Sequence, residues 1–92
     1  MANQTIIVVA GGQILVPLNG LSNASVQVPA GATLTVEATL DPLTADGTAE
    51  NWVTVADHQA GPAIVNIPSP VVAARFLNPD TADVSMFLVT RR

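Results

Sequence analysis

The sequence contains no lysine, no cysteine and no tyrosine, and each absence argues against a class of protein. Without lysine, the only cationic side chains are Arg75, Arg91 and Arg92, which is too few for the basic surface that binds nucleic acid. Without cysteine, neither a disulfide framework nor a thiolate metal site can form, so stability must come from packing. Without tyrosine, and with the single tryptophan Trp52, a sugar-binding platform of stacked aromatic rings is disfavoured.

Charge is scarce in general, and the hydrophobic content is high. Charged residues make up 11% of the chain and hydrophobic residues 49%, whereas an ordinary soluble domain is about 25% charged. A chain of 92 residues has room for one hydrophobic core, so we expect one domain spanning residues 1–92. Because so little of its exterior can be ionic, the composition predicts that neighbouring protein covers part of it, as in a homo-oligomer.

The apolar run of residues 6–10 is too short to cross a membrane or to form the core of a signal peptide. No basic segment precedes it. We therefore expect no membrane partner, and synthesis in the cytoplasm of the producing cell.

Alternation of apolar and polar residues is the strongest periodic signal. In residues 32–40, Leu34, Val36, Ala38 and Leu40 alternate with polar residues, which predicts a strand with one buried and one wet face. Residues 24–28 show a shorter form of the same pattern. Further strands are predicted at residues 5–10, 13–18, 52–56, 63–67, 71–77 and 84–90.

Turn residues separate these strands. Gly11-Gly12 predicts a hairpin between the first two strands, because glycine tolerates positive φ, and Asn19-Gly20 predicts a second turn. About eight short strands at this spacing predict an all-β fold, a small antiparallel β-sandwich or jelly-roll-like domain.

The last predicted strand is apolar on both faces. In a two-layer sandwich the core covers only one face, so this strand is the candidate interface with another subunit. The candidate residues are Val84, Met86, Phe87, Leu88 and Val89.

The inventory of catalytic groups is nearly empty. His58 is the only histidine and adjoins Asp57, but neighbours in a strand point in opposite directions, and no serine lies in a nucleophile-elbow motif. We expect no catalytic residue, no enzyme activity and no cofactor. An enzyme would need His58 to lie in a concave pocket beside a serine or a carboxylate.

The acidic loops carry no calcium-binding pattern. Asp41, Asp46 and Glu50 share the longest loop and Asp80 and Asp83 share the last one, but neither has the alternating ligands of a calcium loop. We expect solvated loop charges and no metal site. The aromatic residues Trp52, Phe76 and Phe87 are expected to share the core or a subunit seam.

The chain combines a lysine-free acidic composition, short strands with Ala-Gly and Asn-Gly turns, and the segments 72–78 and 84–90. In these features it resembles the small auxiliary proteins that decorate or cement the capsids of tailed phages. The resemblance implies a β-rich homo-oligomer, often a trimer, on the capsid surface of a virion, made in the host cytoplasm and bridging copies of the major capsid protein or another virion protein.

The function expected from this sequence is therefore that of a non-enzymatic virion structural protein. A phage tail or fibre domain is the first alternative, and a small carbohydrate-binding β-sandwich module is the second. An exposed Trp52 lining a groove would favour the sugar-binding module.

Overall fold

Eight β-strands in two antiparallel sheets form the protein, in a computed structural model that describes residues 2–19, 23–68 and 71–91. Sheet A has the strand order β1-β8-β3-β6, and sheet B has the order β2-β7-β4-β5. The strands are β1 (Ala2–Val8), β2 (Gln13–Pro17), β3 (Asn23–Val28), β4 (Thr33–Thr39), β5 (Val53–Ala60), β6 (Ala63–Ile67), β7 (Ala73–Leu77) and β8 (Val84–Arg91). The predicted all-β class is confirmed. Within the described residues, no helix has the length and apolarity needed to cross a membrane.

The strand pairing is nested from the ends of the chain towards its middle. β1 pairs with β8, β2 with β7, β3 with β6 and β4 with β5, all antiparallel. Two further pairs, β3 with β8 and β4 with β7, complete the sheets. This is one long antiparallel ribbon rolled into two facing sheets, which is the topology of a jelly roll.

The predicted hairpin at Gly11-Gly12 is wrong, because β1 and β2 lie in different sheets. The segment does form a tight turn, in which the Gly12 amide donates to the Val9 carbonyl at 2.9 Å and Gly11 has a φ of +68°. The turn carries the chain across the sandwich, however, and does not pair its flanking strands. Glycine predicts the change of direction, but the partner of each strand is set by residues more than fifty positions away.

The core lies between the inner faces of the two sheets. Val26 and Val28 of β3 are fully buried, and so are Leu34 and Val36 of β4, as the alternation predicts. Leu40 does not follow that prediction, since it is 72% exposed. β4 ends at Thr39, so the alternation stops one residue before Leu40.

Other boundaries differ from the prediction by a few residues. β5 extends to Ala60, four residues beyond the predicted end, and therefore includes His58. Asn19 has the positive φ, +52°, that its predicted turn requires, whereas Gly20 lies outside the described residues.

Asn78 is a buried polar side chain that holds one end of the sandwich together. Its Nδ2 donates to the carbonyls of Val8 at 2.9 Å and Ala82 at 2.8 Å, and its Oδ1 accepts from the Asp80 amide at 2.9 Å. The side chain thus joins the end of β1 to the connection between β7 and β8.

Substituting Asn78→Ala is expected to lower the free energy of unfolding by about 2–3 kcal/mol, because it leaves the buried Val8 carbonyl without its donor. Urea denaturation followed by Trp52 fluorescence measures the loss. The matched control is Asn66→Ala, which removes one exposed hydrogen bond to Ser25 and should cost less than about 1 kcal/mol. Equal losses in the two variants would contradict this role for Asn78.

Candidate interaction surface

β8 lies in the middle of sheet A, between β1 and β3, and this position explains why both of its faces are apolar. Val84, Met86 and Leu88 point into the core and are at most 2% exposed. Phe87 and Val89 lie on the outer face of the sheet, where Phe87 is 40% exposed and Val89 half-buried. The structure therefore corrects the predicted interface for the three core residues and leaves Phe87 and Val89 as its candidates.

The outer face of sheet A carries no charge among the side chains that the structure describes. One row across it runs Thr5, Phe87, Gln27 and Ile64, one residue from each strand in register. Ile64 is 72% exposed. The described side chains of this face are Asn3, Thr5, Ile7, Asn23, Ser25, Gln27, Ile64, Asn66, Ser85, Phe87 and Val89.

The outer face of sheet B is different, because it bears a shielded ion pair. Arg75 of β7 pairs with Glu37 of β4, with 2.6 Å between Nη2 and Oε1, and the two side chains are 23% and 19% exposed. The ring of Trp52 covers the guanidinium at 4.3 Å from its centroid, and the indole N–H donates to the Ala49 carbonyl. A cation over an aromatic face is a stabilising arrangement.

The three aromatic side chains do not share one cluster. Phe76 is fully buried in the core, Trp52 lies half-buried over Arg75 on sheet B, and Phe87 is on the outer face of sheet A. Alternation along β7 and β8 places Phe76 inward and Phe87 outward. This assignment can be made only when the inner face of each strand is known.

His58 and Asp57 are in contact, contrary to the sequence-based expectation. The imidazole Nδ1 lies 2.7 Å from Asp57 Oδ1. His58 has a φ of +50°, and the pairing of β4 with β5 shifts register nearby, so the alternation of side chains is broken at this point. Histidine is one of the few residues besides glycine that adopts this backbone conformation, but nothing in the sequence marks the bulge.

The pair borders an open hollow of about 430 Å³ between Gly12, Thr35 and Pro79. Both side chains are more than half exposed. Thr35 Oγ1 accepts a hydrogen bond from the His58 backbone amide, and the described residues place no hydroxyl in hydrogen-bond contact with the imidazole. His58 thus has the concave surface and the neighbouring carboxylate named as conditions for an enzyme, but among the described residues no hydroxyl nucleophile is in contact with its imidazole.

Three of the loop carboxylates fix the backbone. Asp83 accepts from the Ala10 amide, Asp80 from the Thr33 amide, and Asp41 from both the amide and the side chain of Asn51, at 2.9–3.1 Å. The sequence-based interpretation treats these aspartates as solvated charges, and it misses their role as acceptors, within one loop for Asp41 and between distant segments for Asp80 and Asp83. Within the described residues, no three histidine or acidic side chains converge as metal ligands would.

Comparison with known proteins gives a fold and no family. No family model matches the sequence, and no curated protein matches it significantly. Among solved structures, the chain is similar to a de novo designed double-stranded β-helix, with a TM-score of 0.66 and 10% identity over 99% of this chain and 100% of the design. The likeness agrees with the rolled two-sheet topology of sheets A and B.

Proposed function

We propose that this chain is a non-catalytic structural protein that associates with copies of itself through the outer face of sheet A, and that it does so as a decorating or cementing component of a phage capsid. The observation that carries the self-association is the absence of charge among the described side chains of that face, with Phe87 at its centre. The capsid as its location follows from the resemblance alone.

The distribution of charge favours a second copy as the partner of this face. The chain has a formal net charge of −4, so two copies repel each other wherever carboxylates meet. All seven carboxylates lie outside the outer face of sheet A: Glu37 on sheet B, Asp57 at the bulge of β5, and the others in loops. Two copies that meet through the described side chains of this face bury isoleucine, phenylalanine and uncharged polar groups without bringing carboxylates together.

The size of the face predicts a weak individual contact. Four strands spaced about 4.8 Å apart and about seven residues long form a face of roughly 19 by 23 Å. Two such faces bury on the order of 900 Å², which is below the roughly 1,200–2,000 Å² of stable complexes. Strength would come from many copies on one particle, because multivalent attachment multiplies modest affinities.

The test of self-association is the mass in solution. Light scattering should show a mass above 9.4 kDa that rises with protein concentration into the high micromolar range. Phe87→Lys should return the protein to a monomer, because it places an unpaired charge in the middle of the contact. Thr54→Lys, which adds the same charge at an exposed position on β5, is the control and should associate like the natural protein.

Either of two results would contradict the proposal: a natural protein that stays monomeric at high micromolar concentration, or a Phe87→Lys variant that associates as strongly as Thr54→Lys.

The location on a virion has its own test. Mass spectrometry of purified, nuclease-treated particles should detect this chain in many copies per particle, and antibody labelling should place it on the capsid. Labelling of the tail would support the alternative of a tail or fibre domain. Absence from purified particles would overturn a virion role while leaving the self-association intact.

The sugar-binding alternative loses support from the position of Trp52. One face of its ring covers the Arg75 guanidinium, and the side chain is half-buried, which leaves less of the ring free to stack on a sugar. Binding to a glycan array that is lost in Trp52→Ala would restore this alternative.

A further inference from the structure

A second apolar surface lies on the opposite sheet, at the margin where β4 and β5 leave the core. It is a groove of about 430 Å³, open to solvent. Apart from the backbone and hydroxyl of Thr39, its lining is apolar. The lining residues are Ala38, Thr39, Leu40, Val53, Val55, Pro68 and Val71.

Two apolar residues of the groove are exposed although each lies next to core residues, one by strand pairing and the other along the chain. Val53 pairs with the buried Ala38, so both side chains lie on the inner side of sheet B, yet Val53 is 69% exposed. Leu40 directly follows β4 and is 72% exposed. β5 has eight residues, whereas β6, the edge strand of the facing sheet, has five, so the inner side of β5 extends beyond its cover.

An acidic loop borders this groove. Thr39 in the groove accepts from the Asp41 amide and donates to the Asn51 carbonyl, and Asn51 donates to Asp41. Asp41 and Glu50 line the adjoining hollow, and Asp46 is exposed in the same loop. No lysine or arginine precedes Arg75 in the chain, and Arg75 is paired with Glu37. The groove is therefore apolar within and negative along one side.

These features define the chemistry of an occupant. We infer that the groove binds an extended segment of another protein, one that combines aliphatic side chains with lysine or arginine. The aliphatic side chains would cover Leu40 and Val53, and the cations would lie along the acidic loop. The segment would be extended because β5 is an edge strand. Its free edge has no strand partner among the described strands, and an extended peptide can add to such an edge as a further strand.

A second copy of this chain does not supply such a segment. Its aliphatic stretches next to arginine lie in strands that are paired on both sides. β7, which carries Arg75, lies between β2 and β4, and the end of β8 pairs with β1 and, through Arg91 opposite Asn23, with β3. The inference thus goes beyond the proposed self-association, since it concerns a different surface and a different partner.

A labelled peptide tests the groove directly. Fluorescence anisotropy with fluorescein-labelled Ser-Leu-Lys-Val-Arg-Val-Lys-Ser should show saturable binding that weakens as salt is added. A peptide with glutamate in place of each cation, and one with serine in place of each aliphatic residue, should bind at least about tenfold more weakly. Equal binding of all three peptides, or no binding of the first, would overturn the inference.

Variants then locate the binding site on the protein. Leu40→Thr combined with Val53→Thr should weaken binding about tenfold, because it removes the exposed aliphatic surface. Asp46→Asn combined with Glu50→Gln should weaken it about threefold and flatten its salt dependence, since exposed ion pairs are individually weak. Ile64→Thr removes an equally exposed aliphatic side chain from sheet A and is the matched control, expected to bind like the natural protein.

The monomeric variant Phe87→Lys separates the two proposals. It should bind the peptide unchanged, so failure of self-association and failure of peptide binding are distinguishable. Loss of peptide binding in Ile64→Thr, with Leu40→Thr/Val53→Thr unaffected, would place the site on sheet A and contradict the inference.

Discussion

Replacing Phe76 with alanine is expected to lower the free energy of unfolding by about 3–5 kcal/mol. Phe76 is the largest of the fully buried side chains, and it lies on β7, which is paired on both sides in the middle of sheet B. The substitution removes the apolar contacts of the ring and leaves a cavity that the surrounding strands fill only in part. Small domains have a total stability of about 5–15 kcal/mol, so this loss is a large fraction of it.

The two phenylalanines of the chain provide the control. Phe87→Ala removes the same atoms from a side chain that is 40% exposed on the outer face of sheet A, and should cost about 1 kcal/mol in the monomer. Calorimetry at low protein concentration should show a melting temperature at least about 12 °C below that of the natural protein for Phe76→Ala, and a clearly smaller decrease for Phe87→Ala. Similar melting temperatures for the two variants would mean that Phe76 is not at the centre of the core.

Local structure could be predicted where one face of a strand is buried and the other is wet. The alternation in β3 and β4 gives both the strands and their inward residues, because the sandwich imposes a period of two. The pairing of strands could not be predicted. Gly11-Gly12 has the composition of a hairpin turn, and no neighbouring residue indicates that β1 pairs with β8 at the other end of the chain.

The candidate surface, the outer face of sheet A, could also be predicted in part from the alternation of side chains along a strand. The two apolar faces of β8 indicate a strand covered on one side by the core and available for contact on the other, but they do not show which residues point inward. Ile64, on β6, becomes part of the surface only because β3 and β6 bring it into one row with Phe87. The contact of His58 with Asp57 depends on a bulge in β5 that no sequence pattern marks.

Because side chains fill the interior, we expect this protein to contact other molecules through the outer faces and the margins of its sheets. The buried side chains are apolar apart from Thr39 and Asn78 among the described residues, and both of these form hydrogen bonds to neighbouring segments. The two outer faces then differ in kind. Sheet B shields its ion pair beneath Trp52, whereas the described side chains of sheet A present an uncharged face centred on Phe87.

Gly61→Ala is the second substitution with a large expected effect, about 3 kcal/mol or more. Gly61 lies in the turn between β5 and β6, and its amide donates to the Ala32 carbonyl at 2.9 Å. A methyl group at this position would overlap the carbonyl oxygen of Pro29, a backbone atom of the turn between β3 and β4. Relief of the overlap requires one of the two turns to move, and with it the strands that they join.

Gly31→Ala separates this overlap from the general cost of replacing a glycine. Gly31 lies in the neighbouring turn with a φ of +81°, and an added methyl group there has no atom within 4 Å. Its cost should be the backbone strain of about 1–2 kcal/mol. Urea denaturation should therefore rank Gly61→Ala as clearly less stable than Gly31→Ala. The reverse order would show that the two turns do not pack as closely as the structure places them, and that the sandwich accommodates a side chain between them.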